Sequence, residues 1–316
     1  MFGKPKRKIS QTPLVSVIIP NYNHARFLEQ RLDSVFNQTY QNFEVIVLDD
    51  CSIDNSLDVI HRYKDNPHLS QIVVNERNSG SVFRQWEKGI SLAKGEIIWI
   101  AESDDYCELN MLDELLKAYM AWPNVVVAFS QYIIFSNEYT IKQKERKTRY
   151  YNGKDYICNR LIRYCDIRNA SGVIFSKEAY SHISKDYVTY KSAGDLRFWS
   201  EILQYGNCAK VGKNLTYFRQ NSTSVTGTNA TRGLVAKEDK LVYDYISEVY
   251  PLNWWQKMMV LRRKARHYQT DHYDNETIRE QVLKLWGIKR GEGFSKMDDF
   301  IFWLSGSLER HLGILI

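Results

Sequence analysis

The 316-residue sequence has no run of about twenty apolar residues, the length that a membrane-spanning helix needs. No apolar stretch follows the basic residues Lys4, Lys6, Arg7 and Lys8 to make a cleavable leader. The five cysteines, Cys51, Cys107, Cys158, Cys165 and Cys208, are odd in number and scattered. Without a CxxC pair there is no zinc spacing, and reduced thiols in a cytoplasmic protein are the expectation. Glycine is missing where a phosphate-binding loop would require it. The first strand-to-helix turn reads Pro20-Asn21-Tyr22-Asn23-His24, which excludes both a GxGxxG dinucleotide turn and a P-loop ending in Gly-Lys-Ser/Thr. A diphosphate bound here would need a metal to take its charge.

The remaining composition is that of a globular enzyme-sized chain. It is 44% hydrophobic and 25% charged, and its length suits one catalytic domain with a smaller appendage. The formal charge of +6 fits either an anionic partner or a solvated basic surface. Apolar β-branched runs at Val15–Ile19, Phe43–Leu48, Ile72–Val74, Ile97–Ile100 and Val125–Phe129 read as buried strands. Between them, Leu28, Leu32, Val35 and Phe36, then Ser81 to Ala93, then Leu112, Leu115, Leu116 and Tyr119 keep helical spacing. Alternating strands and helices of this length predict βαβ units and a mainly parallel sheet with helices on both faces. Further along, Lys154–Arg163 and Asp195–Leu203 read as helices, and Ser171–Phe175 and Leu215–Arg219 as strands. The Lys/Arg-rich stretch from Asn137 to Arg149 is an exposed loop or hairpin, either a solvated charge run or a binding element. Beyond Gly233 only helical patterns remain. The expected division is a basic tail (1–12), a catalytic domain (13–232, split at 130/131 into nucleotide and acceptor halves) and a helical region (233–316).

Ligands of such sheets bind beyond the carboxyl ends of the strands. There lie Asp49 and Asp50 after the second strand and Glu102-Ser103-Asp104-Asp105 after the fourth. Hard divalent cations need one or two carboxylates besides substrate phosphates and water. Converging acids therefore point to a metal–nucleotide site, with Mn2+ or Mg2+ as cofactor. The competing reading of Asp104 or Asp105 is a cap for the following helix.

In order along the chain, VSVIIPNYN (Val15–Asn23), VIVLDDCSIDNS (Val45–Ser56) and NSGSVFRQWEKGISLAKGEIIWIAESDDY (Asn78–Tyr106) resemble the nucleotide-binding half of the family 2 glycosyltransferases. AGDLRFWSEILQYGNCAKV (Ala193–Val211) and YFRQNSTSVT (Tyr217–Thr226) resemble its acceptor half. The resemblance implies a GT-A fold and an inverting transfer from a nucleotide-diphosphate sugar, a UDP-sugar by expectation, to a hydroxyl of a saccharide or lipid-linked saccharide in polysaccharide synthesis, with no nucleic-acid partner. It implies that Pro20, Asn21, Tyr22, Asn23, Asp49 and Asp50 hold the nucleoside, with Asp50 on the base edge. Asp104 would contact ribose or metal, Asp105 the metal, and Arg219 the donor. Asp195 would be the general base. Three positions depart from the family pattern: Glu102, Gly194 and Asn221. A sugar nucleotidyltransferase and a degenerate non-catalytic binder are the alternatives.

Trp199, one turn after Asp195, and Asn169 are acceptor-side candidates. Phe83, Trp86, Tyr106, Phe198 and Trp199 form either a sugar-stacking wall or core. His24, His61, His68 and His182 have no matching ligand partner and read as surface or capping residues. Leu252–Tyr268 mixes Trp254 and Trp255 with Lys257, Arg262, Arg263, Lys264 and Arg266, and Phe300–Ile316 adds an apolar tail. These helices suit peripheral contact with the inner face of a membrane, packing on their own domain, or a second subunit.

Overall fold

A computed structural model describes residues 10–136, 138–220 and 229–289, with Phe300 and Leu304. Most of the basic tail, Asn221, the 222–226 end of the last motif and most of the apolar tail lie outside them. The expected strands begin the fold: β1 (Val15–Asn21), β2 (Phe43–Asp49), β3 (Leu69–Val74) and β4 (Ile97–Ile100), with α1 (Ala25–Phe36), α2 (Ser56–His61) and α3 (Val82–Leu92) between them. Then come β5 (Tyr106–Cys107), α4 (Met111–Ala121), β6 (Val125–Phe135), β7 (Thr140–Lys142), β8 (Arg149–Tyr151), α5 (Gly153–Tyr156), a π turn (Ile157–Leu161) and α6 (Ile162–Tyr164). β9 (Val173–Ser176), α7 (Lys177–Tyr180), α8 (Gly194–Ile202) and β10 (Asn207–Arg219) complete the sheet layer.

The sheet runs β3-β2-β1-β4-β9-β6-β10-β5. β1 to β4 are parallel, as the βαβ pattern requires, and β10 is parallel to β6. β9 enters antiparallel between β4 and β6, and so joins the two halves into one sheet. Side chains alternate across it. Val15, Val17 and Ile19 pack with Leu28, Leu32 and Leu115 on one face. Ile18, Ile46, Leu48 and Ile98 pack with Trp86, Phe198 and Ile202 on the other. Strands β6 and β10 outrun the apolar runs that announced them, because their extensions bury polar residues that bond across the sheet. Ser130 Oγ meets Thr216 Oγ1 at 3.2 Å, and Asn214 Nδ2 donates to the Gln143 carbonyl at 2.8 Å. The basic stretch forms the expected hairpin, with β7 on β6 and β8 on β10.

Three helices follow: α9 (Leu234–Val249), α10 (Trp254–Thr270) and α11 (Glu276–Leu285). Val242 and Ile246 of α9, Leu252, and Val260 of α10 belong to the main core. Ala236, Tyr268, Val282, Leu283 and Trp286 make a second, smaller one. Of the three roles open to this region, packing on its own domain is the one the buried face fulfils. Lys264 is part of that face, paired with Asp239, whereas Trp254, Lys257 and Leu261 remain exposed along one stripe of α10. Among the described residues no helix is long and apolar enough to cross a membrane, and all five cysteines are free.

Candidate active site

At the carboxyl ends of β1, β2 and β4 the chain opens a cleft of about 620 Å3. Pro20, Asn21, Tyr22, Asp50, Glu102, Asp104, Asp105, Lys191, Ser192 and Asp195 all line it. The turn without glycine is solved by Asn23, which takes φ +55°, a conformation that Asn tolerates better than most residues. It is pinned to the next loop: its N–H donates to Ser52 Oγ at 2.9 Å, and its Oδ1 accepts from the Ile53 N–H at 2.8 Å.

The two acids after β2 differ in role. Asp49 is fully buried, accepts from Asn21 Nδ2 and the Ser52 N–H, and does not line the cleft. It shapes the turn. Asp50 does line the cleft. Its Oδ1 accepts from Asn75, the Ser79 N–H and Gln85, and its Oδ2 only from Ser79 Oγ at 2.7 Å. A carboxylate offers about four lone-pair sites, so Oδ2 keeps one for a ligand. Nearby, Asn21 Oδ1 and Gln85 Oε1 are buried with no partner, acceptors whose desolvation a bound donor would offset.

Neither Asp104 nor Asp105 caps a helix, since α4 starts at Met111 with Asn110 before it. Asp105 is buried; Oδ2 accepts from Asn169 Nδ2 (2.9 Å) and Ser171 Oγ (2.7 Å), and Oδ1 from the Arg219 N–H (2.9 Å). Asp104 presents its carboxylate to the cleft. Burial pushes Asp105 up to about 6, with Asp104 adding to the effect, and raises Asp104 itself. Glu102, burial again first, is pushed up to about 8 while Trp86 Nε1 donates to it at 2.8 Å. Asp104 raises both Glu102 and Asp105, and Asp105 raises Glu102 in turn, so the three acids are a set that a cation would relieve. No three His, Cys, Asp or Glu side chains among the described residues form a ready cage. A divalent ion here would take Asp104 and the remaining lone pair of Asp105, and complete its shell from phosphates and water. Arg219 stands behind rather than in the cleft. Its Nε donates to the Asp104 carbonyl at 2.8 Å, and its guanidinium lies over Phe27 and Phe135.

Asp195 lies in the first turn of α8, partly open to the cleft and otherwise enclosed by protein. It is not the helix cap, a place taken by Ala193, and it accepts only the Leu196 N–H at 2.7 Å. Burial pushes its carboxyl up to about 7, and Asp239 and Glu238 add to the rise. Gly194 has a local cause: a Cβ there would meet the Phe83 ring at 2.5 Å, so the glutamate of the family pattern cannot fit beside this ring.

The match to a sequence model described as glycosyl transferase family 2 covers residues 16–183. The chain belongs to glycosyl transferase family 2. Over 233 residues it is 29% identical to the Escherichia coli UDP-Glc:alpha-D-GlcNAc-diphosphoundecaprenol beta-1,3-glucosyltransferase WfaP, covering 72% of this chain and 85% of that one. It spans about a third of GlyG, a glycosyltransferase of Streptococcus pneumoniae serotype 4, at 36% identity over 104 residues, which are 33% of this chain and 34% of that one. In fold it matches Staphylococcus aureus TarS 1–349, solved with UDP-GlcNAc, with a TM-score of 0.61 and 18% identity, covering 94% of this chain and 81% of that one. The architecture is thus the GT-A fold of this glycosyltransferase family.

Of the aromatic residues open to either role, two are core, which overturns the acceptor-side place expected for Trp199. Trp199 and Phe198 are wholly buried and form core, not a sugar-stacking wall, because they sit on the inner face of α8. Tyr106 stacks on Tyr217 at 4.2 Å, outside the cleft lining. Phe83 and Trp86 do reach the cleft wall, as does Asn169, which acts through Asp105. His24 precedes α1 as a capping residue would, and it also lines the cleft, with Nδ1 2.9 Å from Ser103 Oγ. Lys191, Ser192 and Arg168 are further lining residues that no motif singled out. Glu238 of α9 was invisible to sequence reasoning. Its carboxylate accepts the backbone N–H groups of Lys191, Ser192 and Ala193, each at 2.8 Å, and so fixes from another helix the loop that leads into α8. Glu238→Ala should therefore cost about 1.5–3 kcal/mol in urea unfolding and slow catalysis by loosening Asp195. A loss below about 0.5 kcal/mol, the level of a neutral surface change, would show that the loop finds other acceptors.

Proposed function

We propose that the protein is an inverting, metal-dependent glycosyltransferase that moves a sugar from a UDP-sugar to a hydroxyl of a saccharide or lipid-linked saccharide acceptor in polysaccharide synthesis. One observation carries this reading: a single cleft is lined by base-edge acceptors at Asp50, Asn21 and Gln85, by the carboxylates of Asp104 and of the buried Asp105, which keeps one lone pair, and by an isolated carboxylate at Asp195. The free lone pair of Asp50 Oδ2 suits the imide N–H of uracil, which the corresponding cytosine nitrogen lacks. A divalent metal at Asp104 and Asp105 would supply charge stabilisation to the leaving diphosphate. Lys191 and Arg168 add cationic side chains to the wall. Asp195 takes the proton of the acceptor hydroxyl as it attacks the anomeric carbon. One base and one displacement invert the configuration, by the geometry of inverting glycosidases. Support for the UDP-sugar comes from the names of WfaP and of the TarS complex. The stripe of Trp254, Lys257 and Leu261 suits contact with an anionic membrane that carries a lipid-linked acceptor; flotation with anionic vesicles at low salt only would support it, and none at low salt would end it.

A base must be deprotonated, so activity should rise with pH through about 7, the value to which burial pushes Asp195. Asp195→Asn should keep UDP binding and lower transfer about 100-fold or more. The folded carboxyl holds its proton at pH values where an unfolded one has lost it, so stability falls as pH rises from about 4 to about 7. The variant escapes this cost, so its advantage in thermal midpoint over the native protein should be largest at pH 8, smaller at pH 5 and nearly absent below about pH 3.5. Near-normal transfer with no change in midpoint would remove Asp195 from the role.

Chelation should abolish turnover and Mn2+ or Mg2+ restore it. Asp104→Ala should weaken UDP binding in the presence of metal more than Glu102→Ala, whose carboxyl holds its proton to about 8, and UDP should bind more tightly than CDP. Full activity in chelator, or the reverse order of variants, would contradict the metal assignment.

A further inference from the structure

The hairpin between β6 and β8 closes a second cavity, of about 210 Å3, on the acceptor half. Arg146, Lys147, Arg149, Arg160 and Lys210 line it, and Asp166 is its one acid. That acid is engaged: Arg160 meets both of its oxygens at 3.1 Å, Lys210 Nζ lies 2.6 Å away and the Tyr156 hydroxyl 3.0 Å. That carboxylate is taken up by Arg160 and Lys210. Arg146 and Lys147 have no side-chain ion-pair partner among the described residues, and they stand at the rim.

The hairpin is held in place. The Arg146 N–H donates to the Gly212 carbonyl at 2.7 Å, and a Cβ at Gly212 would meet the Arg146 carbonyl oxygen at 2.1 Å, so only glycine lets the two strands approach. Gln131 lines the same cavity; it is buried, and its Oε1 has no partner. Its carboxamide, turned either way, offers a bond to a polar ligand. The cavity lies close to the cleft. A smaller hollow contains Asp166, Arg168 and Asn169 together, and Arg168 and Asn169 line the cleft as well. Asp166 and Asn169 are three residues apart, so about 11 Å of extended chain is the most that separates them.

We propose that this basic pocket binds an anionic substituent, a phosphate or carboxylate, of the saccharide acceptor, and so seats the chain whose hydroxyl enters the cleft beside Asp195. The proposal rests on the sugar-transfer reading of the cleft. The charge excess matches an oxyanion, and the guanidinium and ammonium groups converge as such recognition needs. Its place on the acceptor half, one short segment from the cleft, matches a second subsite on one extended ligand rather than part of the nucleotide site.

The test uses the full chain at low salt with the cleft saturated by UDP and Mg2+, and titrates inorganic phosphate, glucose 6-phosphate, glucuronate and glucose by calorimetry. Phosphate, glucose 6-phosphate and glucuronate should bind, and glucose should not. Arg146→Ala with Lys147→Ala, both at exposed positions, should weaken that binding about tenfold or more and leave UDP affinity unchanged. Failure of UDP itself to bind would fall on the cleft reading and not on the pocket. Equal binding of glucose 6-phosphate to native and double-variant protein would overturn the proposal, as would its competition with UDP. Binding of inorganic phosphate alone would reduce the pocket to an adventitious ion site. Phosphatidylglycerol vesicles that displace glucose 6-phosphate from the native protein only would assign the pocket to a lipid headgroup and end the acceptor reading.

Discussion

The three hydrogen bonds into the Asp105 carboxylate hold the two halves of the molecule in register. The acid follows β4, in the nucleotide half. Its donors are Asn169 and Ser171, before β9, and the backbone of Arg219 at the end of β10, all in the acceptor half. A carboxylate this deeply buried is tolerable only when its lone pairs are occupied. The sequence on either side of β9 is thereby obliged to arrive at one point, where β9 also makes the antiparallel join in the sheet. Arg219 continues the tie outward, with its guanidinium on the Asp104 carbonyl and between two aromatic rings.

The C-terminal helices extend the same logic to the other side of the cleft. Asp195 sits in the first turn of α8, and Glu238 of α9 fixes the loop that leads into that helix by accepting three successive backbone N–H groups. Arg197, on the same helix, pairs with Glu201 at 2.6 Å and lies 3.2 Å from the centre of the Tyr245 ring, so α8 and α9 are tied twice. Glu238 and its neighbour Asp239 also add to the rise in the Asp195 carboxyl that burial begins. One arrangement positions this carboxyl and sets the pH at which it ionises, and it does so at the expense of stability once it has ionised.

How much was legible in the sequence follows from the physics of each signal. Buried parallel strands leave continuous apolar runs, so β1, β2 and β4 could be read almost to the residue. The ends of β6 and β10 could not, because Ser130, Asn214 and Thr216 are buried polar residues whose partners are distant in sequence. The acids at strand ends were visible as a cluster, yet the division of labour between Asp49 and Asp50 depends on which oxygens are already engaged. The burial of Trp199 was not legible because helical spacing alone does not say which face turns inward; His24 does stand at the start of α1 as a capping residue, but its contact with Ser103 spans 79 residues. Glu238 carries no local signal: it is a polar residue on the buried face of an amphipathic helix. Lys and Arg crowded into the 137–149 stretch were plain, but only the fold brings Arg160 and Lys210 to meet them.

The most direct test of the central claim, that one cleft shared by both halves takes the donor and is tied through Asp105, is hydrogen–deuterium exchange of the native protein with and without UDP and Mn2+. Binding should slow exchange at Asn21–His24, Asn78–Gln85 and Glu102–Asp105, and also across the tie, at Asn169–Ser171 and the Arg219 amide. Protection confined to the nucleotide half, with Asn169–Ser171 and Arg219 unchanged, would contradict the coupling. Protection at none of these segments would contradict the cleft itself.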